Sequence, residues 1–572
     1  MFSRRQFLKS SLALTSFAVL NKTIPVYGAT RGLYIADRKE NDQFVKYELV
    51  IKREEMPIGI KEGKPITING NFPAPLLRWK EGKEVIIDVI NEMDEPTSIH
   101  WHGILLPNSM DGVPGLTFDG IPPKSRFRYR FPVKQYGTYW YHSHTGLQEQ
   151  LGLYGAIIID PIEEIYQYDR DYVVILSDWT FEDPYEVLAN LKKWSGYYNY
   201  QKRTIFDFFN DIEKKGFSKA FSERLMWNKM RMSPRDILDI TGVTYTYLIN
   251  GFTPEEDQKF LFRPNEKIRI RFINASSSTI FDVRVDGLKM KVIQADGQYI
   301  QPVEVDEFRI GIAETYDVIV NPTELKAYPI FAEVLDRSGY AKASLTYSDK
   351  VSAPVPARRK IKDRSMSHSD GMHMNMSHHK GDKKMHMHMK KLCGDCEPLK
   401  IPDSFGVDGA MINKSPRCRL NEAGIGLENS KHKVLTYADL KSLKPFKRKK
   451  YDRKLDIHLV GNMERYVWRM YSYDGEKFTS SFEEPIKAKY GERVRITFIN
   501  HTMMEHPMHL HGLWMYLDNG NEEYNPRKHT IIVKPGEKVC VEVDMDAIGN
   551  WAFHCHILYH METGMFRVLQ VC

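Results

Sequence analysis

At 572 residues the chain exceeds one compact core, and a usual domain size of about 100 to 200 residues predicts three units. A hydrophobic share of 42%, with 28 Phe, 31 Tyr and 9 Trp, excludes a wholly disordered chain. The formal net charge of +7 is local: residues 357–391 hold ten Lys/Arg against three Asp, so the rest balances to about zero and no nucleic-acid-binding face is expected.

The chain opens with Ser3-Arg4-Arg5-Gln6-Phe7-Leu8-Lys9 and an apolar run from Ser11 to Leu20, too short to span a bilayer as a mature helix. This leader resembles a twin-arginine export signal, with cleavage after Gly28. It predicts engagement of the twin-arginine export machinery and a mature periplasmic protein with no stable membrane insertion.

Three later segments share one alternating apolar pattern that ends in Asn: Gly82 to Asn91, Asn265 to Asn274 and Gly491 to Asn500. Period-two alternation after a turn residue marks a half-buried β-strand, so the chain reads as a threefold repeat of one β-rich unit. Short strands separated by Gly and Pro turns predict Greek-key β-sandwiches at 33–162, 163–350 and 451–572. Nine residues past Asn91 comes His100, and nine past Asn500 comes His509, each followed by a second His two positions on. Nine past Asn274 come Val283 and then Val285. The outer units are therefore expected to share a metal site that the middle unit lacks.

A helical insertion is expected around Pro184 to Met232, where strand alternation fails. The stretch 351–450 reads as a linker. Within it, residues 366–389 contain seven Met and six His, among them Met372, Met374, Met376, Met385, Met387 and Met389. Thioether and imidazole donors suit cuprous ion, so this segment is expected to bind additional labile copper. Cys393 and Cys396, just beyond it, could bind copper, join as a disulfide or do neither; in an exported protein an oxidised pair is favoured. No role is assigned to Cys572.

Four clusters carry the chemistry: His100-Trp101-His102, His142-Ser143-His144, His506-Pro507-Met508-His509-Leu510-His511, and His554-Cys555-His556 with His560 and Met565. Alternate residues of a strand point the same way, so each His-X-His delivers two imidazoles to one place. Eight such imidazoles suit three copper ions, while two imidazoles, a thiolate and a thioether form the donor set of a blue-copper electron-transfer site. Cys555 points away from its neighbours His554 and His556, which gives electrons a short covalent route between the two sites. Four coppers match the four electrons that turn O2 into water.

In order and spacing these motifs resemble those of the multicopper oxidases. The resemblance implies three cupredoxin-like sandwiches and four copper ions. It assigns type 1 copper to His506, Cys555, His560 and Met565, type 2 to His100 and His509, and the type 3 pair to His102, His142, His144, His511, His554 and His556. Leu176-Ser177-Asp178-Trp179, Asp336-Arg337-Ser338-Gly339-Tyr340, Gly461-Asn462-Met463-Glu464-Arg465-Tyr466 and the Met/His insertion narrow it to the bacterial periplasmic copper-resistance oxidases. A carboxylate kept beside the cluster in that family points to Asp111 for proton delivery, with Glu562 as a second candidate. The expected reductant is Cu(I), with phenols as a second substrate class. The competing readings are a laccase-like phenol oxidase and a copper-sequestering protein with incidental oxidase activity.

Overall fold

The computed structural model describes residues 30–229, 231–364, 399–480 and 484–572. The leader, the methionines of segment 366–389, Cys393 and Cys396 lie outside the described residues. Three pairs of sheets follow one another along the chain: seven- and four-stranded, then six- and six-stranded, then seven- and five-stranded. No described helix is long and apolar enough to cross a membrane.

The repeated motif forms the same strand three times, at Glu84–Asn91, Ile268–Asn274 and Arg493–Asn500. Each copy lies between a parallel neighbour (Phe44–Arg53, Arg170–Trp179 or Arg453–Asn462) and an antiparallel one (Arg126–Pro132, Thr315–Val320 or Lys538–Asp544). The terminal Asn has a physical task that alternation alone did not reveal. Asn91, Asn274 and Asn500 are fully buried. In each, Oδ1 accepts the backbone N–H two residues on, at 3.0, 3.1 and 2.8 Å. Each Nδ2 donates to backbone carbonyls of the following crossover and of the facing segment, as Asn500 does to Met504 and Val533. The amide satisfies backbone groups where the chain leaves one sheet for the other, where the ladder cannot.

In the outer units that crossover leads into strands His100–His102 and His506–Leu510. In the middle unit it leads into Phe281–Val285, where Val283 faces Ala332 in a fully buried pairing. The expected helical insertion is present as Pro184–Lys193, Ile205–Lys215 and Phe217–Lys229. The described part of the linker is packed: Val434–Leu435 adds a parallel edge strand beside Glu307–Ile310. Leu420, Ile425 and Leu440 join the continuous apolar core of units two and three. Cys418 and Cys540 are both disulfide-bonded, whereas Cys555 and Cys572 are free.

Candidate metal centre

Strand register brings the histidines together in pairs. His100–His102 runs antiparallel to Gly137–His142 with His100 opposite His142, and His506–Leu510 runs antiparallel to Gly549–Cys555 with His509 opposite His554. The two arrangements face each other across the contact of units one and three. The imidazoles gather as His102, His142 and His556; as His144, His511 and His554; and as His100 and His509 beside His102. Each three-imidazole group contains residues from both units.

The hydrogen bonds fix which ring nitrogen faces inward. His100 Nδ1 donates to the Asp111 carbonyl at 2.7 Å, and His509 Nδ1 to the His529 carbonyl at 2.7 Å. His142 Nδ1 lies 2.9 Å from the Ser143 carbonyl and 2.7 Å from Glu149 Oε2. His102 is reversed: its Nε2 is 3.1 Å from His529 Nδ1 and 3.2 Å from Thr530 Oγ1. The opposite nitrogens, His100 Nε2, His509 Nε2, His142 Nε2, His556 Nε2 and His102 Nδ1, are buried and find no hydrogen-bond partner among the described residues. In the second group, His554 Nε2 stands 2.9 Å from His511 Nε2 and 3.4 Å from His144 Nε2.

Burial, together with the neighbouring imidazoles, holds His102, His142, His144, His509, His511 and His556 well below the usual histidine pKa, and it lowers His554 to about 4. The rings are neutral, with converging lone pairs that a cation would satisfy. The donor set therefore fits copper.

A second cluster lies on the other side of Cys555. His506 Nδ1, His560 Nδ1 and Cys555 Sγ form a triangle with sides of 3.3, 3.6 and 3.9 Å. Its centre is about 2.1 Å from each corner, the length of a bond from a first-row metal to imidazole or thiolate. All three side chains and Met565 are fully buried, and the Met565 carbonyl accepts the Cys555 N–H at 3.0 Å. Burial pushes the Cys555 thiol far up, so only a cation at this point would favour the thiolate.

Outer partners fix the ligands, and sequence spacing revealed only one of them. Asp111 Oδ2 accepts from His511 Nδ1–H at 2.8 Å while its backbone carbonyl takes His100 Nδ1–H, so this residue touches ligand candidates from both outer units. Asp239, from the middle unit, accepts from His560 Nε2–H at 2.9 Å and from the Tyr466 hydroxyl at 2.8 Å. Thr502 Oγ1 sits 2.7 Å from His506 Nε2, and the Trp468 ring stacks on His560 at 3.9 Å. Glu149 is also new; burial and nearby Asp178 raise its carboxyl well above the ordinary range. Two of the extra motifs acquire roles. Asp178 accepts the N–H groups of Ser277 and Ser278 and the Thr279 hydroxyl, which holds the loop whose Ser277 carbonyl receives the Leu558 N–H. The Gly461 to Tyr466 stretch brings Tyr466 to Asp239. Glu562 is exposed on the wall of a cavity of about 650 Å³ that His144 also lines.

Comparison with known proteins agrees with this geometry. Multicopper oxidase family models match residues 51–164, 170–350 and 449–572. The chain is 46% identical to copper resistance protein A of Escherichia coli, over all of this chain and 99% of that one. It is also 46% identical to a copper resistance protein A homolog of Pseudomonas syringae pv. tomato, over 92% of each. Among solved structures, Fet3p, a multicopper oxidase that functions in iron import, superposes with a TM-score of 0.63 at 19% identity, covering 92% of this chain and 90% of its own. The chain therefore belongs to the multicopper oxidases, copper-dependent oxidoreductases that use dioxygen as electron acceptor.

Proposed function

We propose that this protein oxidises Cu(I) and reduces O2 to water as part of copper resistance in the periplasm, which it reaches by the twin-arginine route. His506, Cys555, His560 and Met565 would hold type 1 copper, and His100 and His509 type 2. His102, His142 and His556, with His144, His511 and His554, would hold the type 3 pair. Bound copper supplies the one-electron redox capacity that joins four oxidations of the reductant to one four-electron reduction of O2.

The observation that carries this reading is the position of Cys555. Its sulfur faces His506 and His560, while its covalent neighbours His554 and His556 enter the two three-imidazole groups. Asp111 would deliver a proton beside the cluster, a role its contact with His511 supports, and Glu562 would pass one along the cavity wall that it shares with His144. A copper-storing protein needs neither the covalent link nor an acidic residue shared between imidazoles of two units.

Cuprous ion is favoured over phenols as the natural reductant because of where the Met/His segment begins. Arg364, the last described residue before it, is ion-paired at 2.5 Å with Glu505, the residue preceding His506. The two relatives described above also carry copper resistance in their names.

Oxygen consumption by the copper-loaded protein, with Cu(I) or a phenol as reductant, tests the reading before and after deletion of residues 366–389. The expected result is a Cu(I) preference that the deletion abolishes. A phenol preference in both forms makes the protein a laccase, and equal loss with both reductants removes the segment's role.

A further inference from the structure

The middle unit supplies no histidine to the imidazole clusters, yet one of its turns touches both units that do. The turn is Asp296-Gly297. On one side, a Cβ on Gly297 would come within 2.3 Å of the Tyr139 ring, and a Cβ on Gly137 within 2.1 Å of the Gly297 carbonyl oxygen. Both contacts fall on the strand Gly137–His142, which carries His142.

On the other side, Asp296 Oδ2 accepts the backbone N–H groups of His529 and Thr530, each at 3.2 Å. It also lies 3.0 Å from Lys528 Nζ, which is 3.0 Å from Glu314 Oε1. Lys528, Asp296 and Glu314 are fully buried. Glu314 is fixed in turn by the Gly311 N–H at 2.7 Å and the Tyr437 hydroxyl at 2.6 Å. Buried charge is costly unless paired; here Lys528 is ion-paired to both carboxylates, which are themselves hydrogen-bonded, between elements of units two and three.

What this triad immobilises is a three-residue stretch on which two imidazoles hang. The His529 carbonyl receives His509 Nδ1–H, while His529 Nδ1 and Thr530 Oγ1 bracket His102 Nε2. These contacts decide which nitrogen each ring turns inward.

We propose that Lys528, with Asp296 and Glu314, is a positioning device through which the middle unit orients His509 and His102 at the trinuclear site. Thr530 pairs with His509, whereas His506 of the type 1 cluster pairs three positions further on, at Val533. The inference rests on His100 and His509 being the type 2 ligands, as stated above. Outer partners of metal-bound histidines commonly change metal affinity about 10- to 100-fold when removed, and the triad acts one step further out, through the backbone it holds.

The test uses full-length protein loaded with Cu(II), comparing the parent with Lys528→Met and with the double variant Lys528→Met/Glu314→Gln. The double variant removes one charge of each sign, so it keeps the pocket's net charge if the single variant does not fold. Blue absorption reports type 1, the type 2 paramagnetic resonance signal reports its own site, and chelator competition reports affinity. The expected result is unchanged blue absorption with an altered type 2 signal and about tenfold or greater loss of affinity for copper at the trinuclear site, type 2 included. An unaltered type 2 signal in a folded variant overturns the inference. Parallel loss of both signals reduces the triad to a general stability element and also overturns it. Absence of a type 2 signal in the parent protein instead refutes the ligand assignment on which the inference stands.

Discussion

Asp111 joins the two halves of the cluster through one residue, its carbonyl serving His100 and its carboxylate serving His511. Replacing it by Asn keeps the shape and removes the anion. Turnover should then fall about 100-fold, a usual effect of losing a positioned proton donor, while blue absorption persists. Turnover equal to the parent's removes the proton-delivery role. His458 offers a test in a different place. Its Nδ1 lies 2.9 Å from His501 Nε2, and burial lowers its pKa from 6.5 to about 4. The folded form therefore stays neutral where the unfolded chain binds a proton, so stability falls as pH drops from 6.5 towards 4. In His458→Gln the loss of unfolding free energy between pH 7 and pH 5 should shrink by about 2 kcal/mol. Denaturant midpoints that fall in parallel for both proteins contradict this. At this scale the ligand candidates were legible because alternate spacing within a strand is a local signal. Asp239, His529 and Thr530 were not, because each reaches an imidazole from a distant segment; Glu149, seven residues past His142, follows no strand spacing that would mark its contact.

Among the elements, the repeated strands and the helical insertion were readable from apolar periodicity, and the missing histidines of the middle unit from counting along the repeat. The work of the terminal Asn was hidden, because a side chain that satisfies backbone groups leaves no periodic trace. Asn274→Ala isolates it in the unit without copper candidates. Two donors and one acceptor are lost, and buried carbonyls of Thr279 and Ile310 go unpaired. A destabilisation of about 3 kcal/mol is expected, with copper content unchanged; a change within about 0.5 kcal/mol, the usual range for an inert substitution, rules out the structural role. The linker's packing was also illegible, since a two-residue edge strand at Val434–Leu435 is too short for any pattern.

For the whole molecule, the middle unit gains a purpose from contacts that no single unit could display. Units one and three meet at shared imidazole groups, and the turn Asp296-Gly297 is lodged against both. Copper should therefore act as a clamp between units. Stripping it with a chelator is expected to lower the thermal midpoint; a ligand present at 100 times its dissociation constant stabilises by about 2.7 kcal/mol per site. An unchanged midpoint would show that the units hold together without metal. The pairing of His144 with His554, 410 positions apart, carries a consequence for how the protein is made. A ribosome must finish nearly the whole message before His144 and His511 can meet His554. A chain cut short anywhere before residue 554 can fold two sandwiches yet assemble no oxygen-reducing centre, so incomplete products are inert and not half-active.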